Sequence, residues 1–202
     1  MAFKFRYKHF YDEQKLPIII ISTGVILLIL SLFLDKFISD LFTTPKNQYL
    51  TYFFEQISNF TFIFSIVALY TTFILYLEEN KKAILPLWIT LVITLAITIF
   101  MKILIARTRP NDLNFVFSGF DYSFPSQHTA FAFAVLPIIF RLFPKYKWHY
   151  LTFACIIAFS RIYLNVHYLS DVVAGALIGY LIGWFVLTFK QKYHYLQDYT
   201  IN

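Results

Sequence analysis

The chain has little charge, little glycine and almost no cysteine. Of its 202 residues only 14% are charged, against 59% hydrophobic. A soluble domain of this length needs far more polar surface to cover its core, so a soluble globular protein is excluded. The single cysteine, Cys155, rules out an intramolecular disulfide; inside an apolar run it reads as a small buried hydrophobe. There is no HExxH motif and no cysteine pair, and no paired carboxylates accompany His128, His167 and Asp171 as a catalytic metal site would need. A G-x-S-x-G motif is also absent, which removes the usual signature of a serine hydrolase. The basic, aromatic stretch Met1 to Lys15 precedes an apolar run starting near Leu16, and no small-residue cleavage site follows it. The expectation is an uncleaved first span rather than a removable signal peptide. Internal repeats, low-complexity tracts and domain linkers are missing too.

What remains is a series of long apolar runs. Six candidate spans lie at roughly Pro17 to Leu34, Phe60 to Leu77, Ile84 to Ala106, His128 to Phe143, Trp148 to Leu164 and Asp171 to Phe189. Each is near the ~20 residues that cross a bilayer, the fourth and fifth being short. Continuous rather than alternating apolar character selects helices over a barrel. The predicted fold is therefore all-α: one polytopic bundle of six transmembrane helices, a single domain over residues 1–202. The mixed stretch Asp35 to Asn59 suits an interfacial helix in part.

The net charge is +6. No basic motif for nucleic acid appears, and the cations gather at the ends of apolar runs, where topology signals and anionic headgroups explain them. With the N-terminus in the cytoplasm, the inside holds Lys4, Arg6, Lys8, Lys15, Lys81, Lys82, Arg141, Lys145, Lys147, Lys190 and Lys192. The outside holds Lys36, Lys46, Lys102, Arg107, Arg109 and Arg161. Setting aside the last four, which belong to polar clusters, the bias is eleven to two. Both termini then face the cytoplasm, and three polar clusters converge at the extracytoplasmic end. No feature of the sequence sets an oligomeric state.

The clusters read Lys102 to Arg109-Pro110, Pro125-Ser126-Gln127-His128, and Ser160-Arg161 to His167 and Asp171. Ionisable residues near spanning segments are costly and usually functional. His167 and Asp171 are four apart, so a helix would place them on one face. A carboxylate there would orient the imidazole and stabilise its cation, making the other ring nitrogen a nucleophile. The competing reading is capping, with Ser170 or Asp171 as N-cap of the sixth span. His128, in the first turn of the fourth span after Ser126, suits a general acid beside a helix end that offers N–H groups to an anion. Lys102, Arg109 and Arg161 suit a phosphoryl group, whose transition state spreads charge over three oxygens. Arg107 reads as a snorkelling residue. His9, His149 and His194 read as interfacial.

These blocks resemble the signature of the type 2 phosphatidic acid phosphatase superfamily: K-x6-R-P, P-S-G-H and S-R-x5-H-x3-D. The resemblance runs from the third span to the sixth, a motif-bearing core of about 84–189. It implies a lipid phosphate or diphosphate phosphatase working through a phosphohistidine without a metal or other cofactor. It implies that His167 is the nucleophile, that Asp171 orients it, and that His128 protonates the leaving group. Lys102, Arg109, Ser126, Gln127 and Arg161 would hold the phosphate. Gln127 departs from the pattern, which has glycine; its side chain adds a hydrogen bond or narrows the pocket. Expected partners are the bilayer and a lipid phosphate, in a bacterial cytoplasmic membrane. The alternatives are a phosphotransferase using the same intermediate and a non-enzymatic anion carrier.

Overall fold

Lipid offers peptide groups no hydrogen-bond partner, so long apolar runs settle as helices. The computed structural model describes the backbone of residues 2–43, 46–110 and 122–200, and the side chains of residues 19–43, 46–110 and 122–189. Among these residues all regular structure is helical. The helices are α1 (Ala2–Leu41), α2 (Gln48–Ile57), α3 (Phe60–Phe64), α4 (Thr71–Leu77), α5 (Ile84–Ile105), α6 (Gln127–Ala134), α7 (Leu136–Leu142), α8 (Lys147–Tyr163) and α9 (Leu169–Thr200). A π-helical turn at Ser65–Tyr70 joins α3 to α4, so Phe60–Leu77 acts as one rod.

Four stretches are long and apolar enough to cross a membrane: Ile19–Leu41, Phe60–Leu77, Lys81–Ile105 and Leu169–Phe189. Large apolar side chains cover their outer surfaces; Phe33 is 81% exposed and Leu104 69%. Such continuous apolar surface suits lipid rather than water. The protein is a membrane protein. The fourth and fifth expected spans correspond to shorter helices, Gln127–Leu142 and the 17-residue α8. The first of these breaks at Val135, because Pro137 lacks an N–H and can sit only at the start of a new helix.

Two sequence expectations need correction here. The first helix does not end near Leu34 but continues to Leu41, because the charge of Asp35 is satisfied inside the protein. Cys155 is exposed rather than buried. It shares the exposed outer face of α8 with Ile156 and Phe159. His149 is exposed on the first turn of α8. His9, His194 and the cations Lys4, Arg6, Lys8, Lys15, Lys190 and Lys192 lie outside the residues whose side chains are described.

The amphipathic part of the stretch between the first two spans is α2. Asn47 caps it, accepting hydrogen bonds from the N–H groups of Tyr49 (3.0 Å) and Leu50 (3.1 Å). Phe54 is buried while Tyr49, Tyr52 and Phe53 are exposed, as an interfacial helix requires.

The seam that positions the site runs between α6 and α9. A Cβ on Gly175 would stand 2.4 Å from the Ser126 carbonyl oxygen, and one on Gly179 2.1 Å from that of Ala130. Only glycine permits so close an approach. In lipid no hydrophobic force drives helices together, so tight backbone contact supplies the attraction. The seam sets the start of α6 against the start of α9.

Candidate active site

The turn between α8 and α9 carries His167. Asn165 leaves α8 in the left-handed region (φ 56°), which asparagine tolerates better than most residues. Its Oδ1 accepts a hydrogen bond from Ser39 of α1 (3.0 Å), and its N–H donates to the Ile162 carbonyl (2.9 Å). Two residues later His167 is almost completely buried. Its Nδ1 stands 3.5 Å from Oδ2 of Asp171, which is fully buried. The two do not share a helix face, as their spacing suggested. His167 precedes α9, and Asp171 meets it from the first turn of that helix.

The capping alternative is resolved in the same place. Neither Ser170 nor Asp171 occupies the cap position, since α9 begins at Leu169. Asp171 reaches back so that Oδ2 accepts the Tyr168 N–H (2.9 Å), half of a capping box. The carboxylate thus secures the helix start while facing the imidazole. Burial, with Arg161, Arg109 and Lys102 nearby, holds the His167 pKa well below the usual histidine range. The ring is therefore neutral at neutral pH and keeps a lone pair.

His128 and His167 lie within electrostatic reach of each other, and Lys102, Arg109 and Arg161 act on both. Lys102 is buried in the last turn of α5, its ammonium donating to the Tyr122 carbonyl. Helix α5 then ends at Ala106 in the left-handed region (φ 49°), turning the chain toward Arg109. Arg109 donates from Nη1 to the Val166 carbonyl (3.0 Å), beside His167. Arg161 is buried in the last turn of α8. Neighbouring Ser160 exchanges a hydrogen bond with Ser58. Ser126 is buried at the cap position of α6; its N–H donates to the Asp171 carbonyl (2.9 Å) and its hydroxyl pairs with Thr129 (3.0 Å). Gln127 opens α6, half-buried, and His128 follows with Phe60 packed edge-on at 5.7 Å.

One expectation fails at this site. Arg107 does not snorkel: Nη1 donates to Asp171 Oδ1 (2.8 Å) and Ser170 Oγ (2.7 Å), and Nη2 to Asp35 Oδ2 (2.8 Å). Its guanidinium lies 4.0 Å from the Tyr168 ring centre. Sequence reading also missed Asp35 and Ser123. Ser123 is fully buried; its N–H donates to the Arg107 carbonyl (2.8 Å) and its hydroxyl to that of Thr108 (2.9 Å). A lone carboxylate at the end of the first apolar run was the available signal for Asp35.

Two imidazoles, one backed by a carboxylate, thus meet three cations and the N-terminus of a helix. That set can bind a tetrahedral oxyanion and attack it. Among the described residues no group of three His, Cys, Asp or Glu side chains is placed to hold a metal ion.

Comparison with known proteins agrees in kind. The model of the PAP2 superfamily matches residues 83–195. The bacitracin transport permease protein BcrC of Bacillus licheniformis is 37% identical over 91 residues, 45% of this chain and 45% of that protein. A lipid A 4'-phosphatase of Bacteroides thetaiotaomicron is 30% identical over 138 residues, 58% of this chain and 61% of that protein. The chain therefore spans about half to three fifths of the length of these relatives. The crystal structure of a transmembrane PAP2-type phosphatidylglycerolphosphate phosphatase from Bacillus subtilis superposes with a TM-score of 0.65 at 20% identity. It covers 87% of this chain and 96% of that one, and shows the shared fold.

Proposed function

Because the chain belongs to the PAP2 superfamily, we propose that it is a metal-independent phosphatase removing phosphate from a membrane lipid through a phosphohistidine. The observation that carries this reading is His167, buried and neutral, with Asp171 behind it and three cations acting upon it. Nδ1 faces the carboxylate, so Nε2 attacks phosphorus. A P–N bond forms as the P–O bond to the lipid breaks, and His128, protonated beside the bound phosphate anion that offsets the surrounding cations, gives that proton to the departing oxygen. Water then attacks the phosphohistidine, His128 takes a proton from it, and inorganic phosphate leaves with rupture of the P–N bond. Lys102, Arg109, Arg161, Ser126 and the start of α6 at Gln127 hold the phosphoryl oxygens.

The proposed setting is a bacterial cytoplasmic membrane. Residues 1–202 form a single domain there, with α6–α7 and α8 completing six spans. The charge bias puts both termini in the cytoplasm and the site at the extracytoplasmic end. The lipid tails enter between helices and the headgroup reaches the site. Candidate substrates are undecaprenyl diphosphate, phosphatidylglycerol phosphate, phosphatidic acid and lipid A phosphates.

The test is phosphate release by the purified chain in detergent with EDTA, across these four lipids, beside a His167→Ala variant. Release that survives EDTA and disappears in the variant is expected. Unchanged release by the variant, or loss of release with EDTA, overturns the mechanism.

A further inference from the structure

Asp171 has two oxygens, and they do different work. Oδ2 accepts the Tyr168 N–H (2.9 Å) and faces His167 Nδ1 (3.5 Å). Oδ1 accepts from Arg107 Nη1 (2.8 Å). The carboxylate plane is therefore set by a residue at one of the unspecified positions inside the K-x6-R-P block. Arg107 is itself anchored on its far side. Its Nη2 donates to Asp35 Oδ2 (2.8 Å), and Asp35 Oδ1 accepts the Ser170 N–H (2.8 Å). The Ser170 hydroxyl donates to Asp35 Oδ2 as well. Asp35 is nearly buried, Asp171 fully so, and the Arg107 side chain is 27% exposed.

We infer that Arg107 and Asp35 are positioning residues that aim Asp171 at His167 and balance the charge behind it. This rests on the phosphohistidine reading above. Rotating Asp171 away from His167 would break its bond to Arg107, and shifting Arg107 would break its bond to Asp35. The network also has a definite charge. Arg107 alone would offset the single negative charge of Asp171 and weaken the field at the imidazole. Asp35 offsets Arg107 instead, leaving the trio with one net negative charge. That charge supports the imidazolium-like ring formed when His167 takes phosphate. The first helix thus contributes to the site from outside the matched region 83–195.

Charge at His167 comes from several elements. Lys102 of α5, Arg109 of the following turn and Arg161 of α8 act on the ring directly, and His128 of α6 lies within reach of it; Asp171 of α9 faces Nδ1, with Arg107 and then Asp35 of α1 behind it. Removing one cation raises the proton affinity of the ring; removing one anion lowers it. The two halves of the network must therefore move His167 in opposite directions. A role confined to holding the fold together predicts no such opposition.

The experiment is a pH titration of 15N-labelled histidine rings in the full chain in detergent micelles, with His167 assigned by its loss in His167→Gln. Arg107→Met is expected to raise the His167 midpoint by about half a unit or more, and Asp35→Asn to lower it. The double variant should fall between them. Arg107→Lys, which keeps the charge if Arg107→Met does not fold, should leave the midpoint near that of the unaltered chain. It should still lose ~10-fold in kcat at similar KM, because one ammonium cannot bridge both carboxylates. Single variants that move the midpoint in the same direction, or not at all, overturn the inference. A kcat for Arg107→Lys equal to that of the unaltered chain overturns the bridging role. Failure of the unaltered chain to release phosphate from any of the four lipids refutes the phosphatase reading instead, and the midpoints still decide the charge balance.

Discussion

The glycine seam between α6 and α9 offers a graded perturbation of the site. Alanine at Gly175, Gly179 or Gly183 introduces nearly the same clash, with the new Cβ 2.4, 2.1 and 2.1 Å from the Ser126, Ala130 and Ala134 carbonyl oxygens. Ordinary contact begins at 3.4 Å, so the helices must part by about 1 Å at each position. Overpacking on this scale costs about 1–3 kcal/mol, and the gain in helix propensity of up to ~1 kcal/mol offsets only part of it. Distance from the chemistry is what differs. At 1.5 Å per residue, Gly175 lies ~6 Å along α9 from Asp171, and Gly183 ~18 Å. Near the site a 1 Å displacement carries Ser126 and His128 away from Asp171, and such a misplacement costs up to ~100-fold in rate. Thermal unfolding in detergent should show similar destabilisation for all three variants. Lipid phosphate release below the unfolding temperature should fall ~10- to 100-fold for Gly175→Ala and only a few-fold for Gly183→Ala. Equal activity losses along the series, or a larger loss at Gly183, would show that the seam does not register His128 against Asp171.

Two further outcomes follow from the buried pair. His167 is kept neutral by burial and three cations, so the free chain protonates this proposed nucleophile only below the ordinary histidine range. The acid limb of kcat/KM, corrected for substrate ionisation, should therefore lie below pH 6.5; a limb above it would contradict this account. Asp171→Asn keeps the size of the side chain but removes the charge facing Nδ1 at 3.5 Å. It should lower kcat by ~10²- to 10⁴-fold with KM little changed, and a loss mainly in KM would assign Asp171 to binding.

The apolar runs announced most of the helices because in lipid a helix is the only way for an isolated segment to satisfy its backbone. The ends were less legible. Asp35 suggested a boundary near Leu34, yet α1 runs on for two more turns because partners elsewhere meet its charge. The break in the fourth span was legible in principle from Pro137, but length counting alone passed over it. Cys155 misled for a different reason. Apolar character predicts burial in water, but on α8 it equally suits a face turned to lipid.

The same distinction separates the motif residues from the network behind them. Lys102, Arg109, Ser126, His128, Arg161, His167 and Asp171 are readable because their spacing within each block is local. Arg107 lies in full view between two of them, and its role stayed hidden because its partner Asp35 is 72 positions away. A cation at the end of an apolar helix carries the same sequence signal whether it reaches for headgroups or binds a carboxylate. Only the fold distinguishes these cases, by bringing α1 against the start of α9 and closing Asp35, Ser170 and Asp171 around one guanidinium. Arg107 is thus bound by carboxylates, whereas Lys102 and Arg109 each donate to a main-chain carbonyl. Under the proposed phosphatase reading, neighbouring positive charges are thereby divided between orienting a nucleophile and facing its substrate.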